Sequence, residues 1–119
     1  MSKGKSNVSP VRGDVWSADL DPIVGHEQGG FRPTLIVSAD LFNRSQAGLI
    51  MITPITTTDR KLIVHIPVDP PDGGLTRPSF IMTDQVRAIS KLRLGRRIGT
   101  ISPTTMTEVE DRLHYLLGL

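Results

Sequence analysis

A chain of 119 residues with a formal net charge of +2 is the size of one domain and has room for one small hydrophobic core. It contains no cysteine, which excludes disulfide bonds, thiolate metal sites and cysteine nucleophiles. No apolar stretch approaches the roughly 20 residues of a membrane-spanning helix, and the first residues lack the apolar segment of a signal peptide. We therefore expect a cytoplasmic protein without a membrane segment.

Short alternating or apolar segments follow one another along the chain, separated by turn residues, which is typical of a β-rich fold. Residues 1–11 are polar and are expected to form a flexible tail, followed by a single domain at 12–119. Proline at position 54 is expected at an edge or at the end of its strand, because it cannot donate a ladder hydrogen bond. The predicted strands span residues 14–20, 34–39, 49–55, 62–68, 79–89 and 98–101.

Two helical segments are predicted, a short turn at 40–47 and a longer C-terminal helix. Ser102 is a suitable N-cap, Pro103 fits the first helical position and Gly118 ends the helix. One face of this helix is expected to cover the sheet, with Met106, Val109, Leu113, Leu116 and Leu117 at helical spacing. Five to seven short strands with one terminal helix predict a strongly curved sheet or a partly closed barrel.

The loop between the first two predicted strands concentrates reactive side chains. His26, Glu27 and Arg32 lie within seven residues, among three glycines, and Pro33 holds Arg32 in an extended conformation. A flexible loop anchored to a rigid strand is a common place for a functional site, although a polar hairpin loop is the simpler interpretation.

The ordered set of short motifs resembles the MazF/PemK (Kid-like) toxins of type II toxin–antitoxin systems. The signature loop is Gly25-His26-Glu27-Gln28-Gly29-Gly30 with Arg32-Pro33. Similar words fall in the same order over nearly the whole chain: Asp21-Pro22, Leu35-Ile36-Val37-Ser38, Phe42-Asn43-Arg44, Pro54-Ile55-Thr56 and Asp84-Gln85-Val86-Arg87. The resemblance implies an SH3-like barrel of the CcdB/PemK-like toxin fold, with the C-terminal α-helix packed on the sheet.

The same resemblance implies an mRNA interferase, a ribosome-independent and sequence-specific endoribonuclease that cleaves single-stranded RNA. Its products would be a 2′,3′-cyclic phosphate and a 5′-hydroxyl. The family also implies a homodimer and a cognate antitoxin whose disordered acidic segment blocks the RNA groove.

RNA can be cut without a metal because its 2′-hydroxyl is a built-in nucleophile, provided that the protein supplies a base, a cation and an acid. Arg32 is the candidate for phosphate charge, because its guanidinium has a fork of donors that matches a phosphoryl group. A surface ion pair between Arg32 and Glu27 is the alternative. Thr56 can donate one hydrogen bond to a phosphate oxygen, and the family has a functional Thr at this position.

The general base is left open between Asp84, His26 and Glu27. The Kid-like toxins use an Asp at the position of Asp84 with an Arg two residues before it, but this chain has Met82 there. That difference favours Arg32 and His26 as the main catalytic side chains, since an imidazole titrates near neutral pH.

The remaining two histidines, His65 on the outer face of its strand and His114 on the polar side of the helix, are expected to be structural or solvated. The candidate RNA-binding residues are Phe31, Arg60, Lys61, Gln85 and Arg87. The acid-free stretch 87–97 suits a polyanion, with a solvated surface strip as the equal alternative. Scattered carboxylates and the absence of nucleotide-binding motifs predict neither a metal nor a cofactor.

Two other functions remain as alternatives at this point. A noncatalytic CcdB-like gyrase-targeting toxin would share the barrel, but such toxins depend on a C-terminal Trp-Gly-Ile, whereas this chain ends Leu117-Gly118-Leu119. A plain RNA-binding barrel would fit the basic stretch but would leave the signature loop without a role.

Overall fold

The computed structural model describes residues 9–21, 25 and 29–119. Most of the expected tail, and the candidate residues His26 and Glu27, lie outside the described residues. Within them the chain forms seven strands and two α-helices, in the order β1 (Asp14–Asp19), β2 (Phe31–Ile36), α1 (Asp40–Asn43), β3 (Leu49–Thr56), β4 (His65–Val68), β5 (Ser79–Met82), β6 (Arg87–Ser90), β7 (Leu94–Thr100) and α2 (Pro103–Leu117).

The strands form one antiparallel sheet that bends around β3. The order across the sheet is β4-β5-β3-β2-β1-β7, and β6 also pairs with β3. The first half of β3, from Leu49 to Ile52, pairs with β6, and its end, Ile55 and Thr56, pairs with β5. Because two partners share one edge of β3, the sheet folds over on itself, as the predicted partly closed barrel requires.

The bent sheet buries apolar side chains on both faces. One cluster lies between the sheet and α2 and comprises Val15, Leu35, Ile55, Ile66, Val68, Leu75, Ile81, Ile101, Met106 and Val109. The other lies on the opposite face and comprises Trp16, Ala18, Leu20, Ile36, Ile50, Ile52 and Ile89. Residues i and i+2 of a strand share a face, so the alternation along β1 places successive side chains in the two clusters.

Helix α2 begins and ends where the sequence predicts. The Ser102 hydroxyl accepts a hydrogen bond from the Thr105 N–H at 3.2 Å, and Asp72 accepts one from the Ser102 N–H at 2.7 Å. Gly118 ends the helix in a left-handed conformation at φ 72°. The expected apolar face is only partly used, because Leu117 is 57% exposed. Among the described residues, no helix is both long and apolar enough to cross a membrane.

Pro54 lies inside β3, so the expectation of an edge or strand end is wrong. It faces Thr34 across β2. On the other side of β3, pairing with β6 ends at Ile52 and pairing with β5 begins at Ile55. The missing N–H of the proline therefore falls between two partner strands, where no ladder bond to either is lost.

Several strand boundaries also differ from the prediction. The segment predicted as one strand at 79–89 is two strands, separated by a 3-10 turn at Thr83–Gln85. β2 begins at Phe31, so Arg32 lies on a strand paired with β1 rather than in the loop. β4 begins only at His65, and β7 begins at Leu94 because its pairing with β1 extends further than its apolar residues do.

Candidate active site on the β2–β3–β5 face

Strand register places two predicted site residues, Arg32 and Thr56, on the same face of the sheet as Phe80. Thr34 on β2 lies opposite Pro54 on β3. Arg32 precedes Thr34 by two positions and Thr56 follows Pro54 by two, so both take the face of that pair. Across the other edge of β3, Thr56 lies directly opposite Phe80 of β5. Directly opposed residues of antiparallel strands point to the same face. The side chains of Arg32, Thr56 and Phe80 therefore share one face of the sheet.

The Arg32 guanidinium is held by backbone oxygens and not by a carboxylate of the described residues. Its Nε donates to the Gly29 carbonyl at 2.9 Å and its Nη1 to the Ile55 carbonyl at 3.4 Å. Burial lowers the pKa of the Arg32 guanidinium below its usual value, and the nearby positive charge of Arg60 lowers that pKa further. The alternative partner, Glu27, lies outside the described residues.

Thr56 is buried and its hydroxyl has a fixed acceptor role. It accepts a hydrogen bond from the Thr58 N–H at 3.1 Å, a local contact at the bend that follows β3. The hydroxyl proton is a donor that this contact does not use. Thr56 therefore has one donor to offer on the face that it shares with Arg32.

Asp84 is held by a residue for which the sequence predicted no part in the site. The Nε2 atom of His65 lies 3.0 Å from Oδ1 of Asp84. His65 faces Met82 in the β4–β5 register, and Met82 lies two residues after Phe80, so this pair belongs to the Arg32 face. Of the two alternatives expected for His65, structural or solvated, the structure supports the structural one, because only 6% of the residue is exposed.

Met82, which stands where the Kid-like toxins have an arginine, cannot replace the function of that arginine. Its thioether has neither a charge nor a hydrogen-bond donor. The side chain is also fully buried beneath this face. His114 is exposed on α2, in agreement with its expected solvated position.

The candidate RNA-binding residues lie at strand ends, in a loop and in a turn. Phe31 is 67% exposed next to Arg32 at the start of β2. Lys61 has a positive φ of 59° and pairs with Asp59 at 3.7 Å. Gln85 lies in the turn beside Asp84.

Arg87 extends the same face by one more strand. It lies opposite Ile52 of β3, which shares a face with Thr56 because the two residues are four positions apart on one strand. Its Nη1 is buried and has no hydrogen-bond partner among the described residues. A buried cationic donor without an acceptor is costly.

The basic stretch 87–97 is not one free cationic strip. Arg93 donates to the backbone oxygens of Asp19 and Asp21, at the base of the β1–β2 loop. Arg97 pairs with the buried carboxylate of Asp14 at 3.2 Å. These two guanidinium groups support the fold, so the cations available to a ligand are fewer than the sequence suggests.

Metal ligands are not grouped in the part of the chain that the structure describes. No set of three or more His, Asp or Glu side chains lies close enough together there to hold an ion. One face of the sheet instead carries Arg32, Thr56 and the His65–Asp84 pair, with Arg60 close enough to lower the pKa of Arg32. These groups offer positive charge, a hydroxyl donor and a carboxylate.

Comparison with known proteins identifies the family of the chain. The family described as PemK-like, MazF-like toxin of type II toxin-antitoxin system matches residues 11–117. The chain is 38% identical over 109 residues to endoribonuclease EndoA of Bacillus subtilis, covering 91% of this chain and 94% of that protein. It is 34% identical over 110 residues to endoribonuclease MazF of Staphylococcus epidermidis, covering 91% of each.

Solved structures show the same fold. The crystal structure of MazF from Deinococcus radiodurans superposes with a TM-score of 0.84 at 25% identity, covering 94% of this chain and 99% of that one. A mycobacterial endoribonuclease in complex with its cognate antitoxin superposes with a TM-score of 0.74 at 29% identity, covering 93% of this chain and 95% of that one. The predicted CcdB/PemK-like fold is thereby confirmed.

Proposed function

Because this chain belongs to the PemK-like, MazF-like toxins of type II toxin–antitoxin systems, we propose that it is a metal-independent endoribonuclease acting on single-stranded RNA. Its curated relatives from Bacillus subtilis and Staphylococcus epidermidis are named endoribonucleases and are matched over nine-tenths of their length. Membership of this toxin family agrees with the motifs of the sequence, and the charged and hydroxyl groups on the Arg32 face suit RNA cleavage.

The observation that supports this function best is the partly desolvated Arg32 with a second cation nearby. Arg60 lowers the pKa of Arg32, so the two charges interact unfavourably in the free protein. Within the described residues no carboxylate forms an ion pair with either guanidinium. A phosphate bound between them would relieve this repulsion and gain two charge-assisted contacts.

The reaction begins when the 2′-hydroxyl oxygen attacks the adjacent phosphorus and its proton passes to a base. Asp84 is the described residue suited to this role, because its carboxylate lies on the Arg32 face; His26 and Glu27 are the other two candidates. Arg32 stabilises the charge that develops on the phosphoryl oxygens, and Thr56 donates to one of them. We expect His26 to share the proton transfer, and the departing 5′-oxygen takes up a proton as it leaves. The products are a 2′,3′-cyclic phosphate and a 5′-hydroxyl.

The function is tested with purified protein, a long single-stranded transcript and a chelator, in the absence of ribosomes. We expect cleavage at specific sites that persists with the chelator, with cyclic-phosphate ends on the 5′ fragments. Cleavage that stops with chelator and returns with a divalent ion would contradict the metal-independent mechanism. RNA binding without cleavage would favour a plain RNA-binding barrel instead.

The partners follow from the family and from the charge of the site. We propose a cytoplasmic homodimer whose RNA-binding surface is covered by a cognate antitoxin with a disordered acidic segment. Such a segment would compete with RNA for Arg32, Arg60 and Arg87, because both ligands are polyanions. Competition is measured by displacing a labelled RNA with the cognate antitoxin. Simultaneous binding of both at full affinity would contradict a shared surface.

A further inference from the structure

The His65–Asp84 pair joins two strands through the turn that separates β5 from β6. His65 is the first residue of β4, and Asp84 is the middle residue of the turn Thr83–Gln85. The turn is also held by its neighbour, because the Thr83 hydroxyl donates to the Val64 carbonyl. The turn is therefore held by two side-chain contacts, one to Val64 and one to His65. Of the two, only the His65–Asp84 contact involves groups suited to proton transfer.

The two members of the pair differ in exposure in a way that assigns their roles. The His65 side chain is 3% exposed, whereas the Asp84 side chain is 34% exposed. A buried imidazole is out of reach of an RNA hydroxyl, but a carboxylate with a third of its surface free can meet one. His65 therefore acts on the reaction only through Asp84.

The tautomer of His65 follows from its second nitrogen. Nδ1 is buried and has no hydrogen-bond partner among the described residues. An unpaired lone pair there is less costly than an unpaired N–H, so the proton belongs on Nε2, where it is donated to Oδ1 of Asp84. With Oδ1 occupied in this way, the exposed part of the carboxylate is left to accept a proton from the substrate.

We propose that His65 is a positioning residue for Asp84, fixing the carboxylate so that its free oxygen faces the 2′-hydroxyl. This inference rests on the proposed function, in which Asp84 is the base. The Kid-like toxins have an Arg two residues before this Asp, and here that position is the buried Met82. The contact from β4 supplies an orienting donor from a different strand.

The experiment compares three variants by steady-state cleavage of an oligonucleotide made around the strongest mapped cleavage site. His65→Phe fills the same space without a donor and should lower kcat by about 10- to 100-fold with little change in KM, the scale of a misplaced catalytic group. His65→Gln offers an amide N–H near the position of Nε2 and should recover most of the loss. Asp84→Asn should lower kcat by about 10²–10⁴, as loss of a general base does.

The double variant His65→Phe/Asp84→Asn separates positioning from a general structural role. If His65 acts through Asp84, the double variant is no slower than Asp84→Asn alone, because the group that His65 orients is already gone. A multiplied loss, or a His65→Phe protein that keeps wild-type kcat, would overturn the proposal. Equal loss in His65→Gln and His65→Phe would also overturn it.

Two further measurements keep the outcome clear. ¹⁵N NMR of the wild-type imidazole should show a protonated Nε2 and an unprotonated Nδ1, and the opposite tautomer would overturn the donor assignment even if His65→Phe does not fold. If the wild-type protein cleaves RNA but Asp84→Asn is equally active, the positioning role fails while the endoribonuclease function stands. If the wild-type protein does not cleave RNA at all, the proposed function fails first.

Discussion

The most direct test of the site replaces Arg32, because its geometry allows the loss to be estimated. A guanidinium has five N–H donors. Two of them are used in the contacts to the carbonyls of Gly29 and Ile55, so three are left for a phosphoryl group. Arg32→Met keeps most of the aliphatic stem but removes the charge and all donors. We expect kcat to fall by about 10²–10³, or roughly 2.7–4 kcal/mol of transition-state stabilisation, the usual effect of one preorganised electrostatic donor.

Arg32→Lys separates charge from shape. A lysine keeps the positive charge, but its three donors radiate from one nitrogen, so it cannot reproduce the planar fork that contacts the carbonyls of Gly29 and Ile55 and still faces a phosphoryl group. The lost charge-assisted hydrogen bond is worth about 1.5–3 kcal/mol, which corresponds to about a 10- to 100-fold loss of rate. The order wild type, Lys, Met is therefore the expected ranking of kcat.

Arg12→Lys is the matched control for these variants. Arg12 is also half-buried, and its Nε donates to a backbone carbonyl, that of Val37, at 3.1 Å. It lies away from the site, on the chain before β1, and we expect wild-type cleavage rates from it. Wild-type cleavage by Arg32→Met, in a sample whose fold and oligomeric state match those of the wild type, would refute the assignment of the whole site.

Three further predictions address binding, the hydroxyl donor and the fold. The affinity for an uncleavable RNA analogue should fall with rising salt concentration. Each neutralised phosphate adds about 0.7 to the slope of log affinity against log salt for single strands. A slope near zero would contradict a phosphate-binding face. Thr56→Val should reduce kcat by up to about tenfold, because one neutral hydrogen bond of roughly 0.5–1.5 kcal/mol is lost. The matched variant Thr57→Val, at an exposed position, should keep the wild-type kcat. Equal rates for the two variants would show that Thr56 is not part of the site. Gly99→Ala should lower the free energy of unfolding by about 1–3 kcal/mol, since its Cβ would lie 2.6 Å from the Gly73 carbonyl oxygen; an unchanged urea midpoint would show that the contact relaxes freely.

Local patterns in the sequence were sufficient for the features that depend on near neighbours. The limits of α2 were predicted because an N-cap serine, a proline at the first turn and a terminal glycine act within a few residues. The first strand was predicted because its alternation reports burial on one face. The family was recognised from short motifs and from their order along the chain, which need no knowledge of the tertiary structure.

The composition of the site depended on contacts between distant strands. His65 reaches Asp84 across 19 positions, and Arg60, in the segment between β3 and β4, comes close enough to Arg32 to lower the pKa of its guanidinium. The acid-free stretch 87–97 indicated free cations, but tertiary structure directs Arg93 and Arg97 to internal acceptors. A sequence pattern records which side chains are present and which face they take.

Strand register decides which of those side chains meet, and register is set by the whole sheet. Pro54 shows this best: its missing N–H indicates an edge when β3 is considered alone. The interior position becomes possible only because β6 and β5 divide one edge of β3 between them, leaving the proline at their junction. The proline itself can be read from the sequence, but its neighbours are decided by how the seven strands pair across the bent sheet.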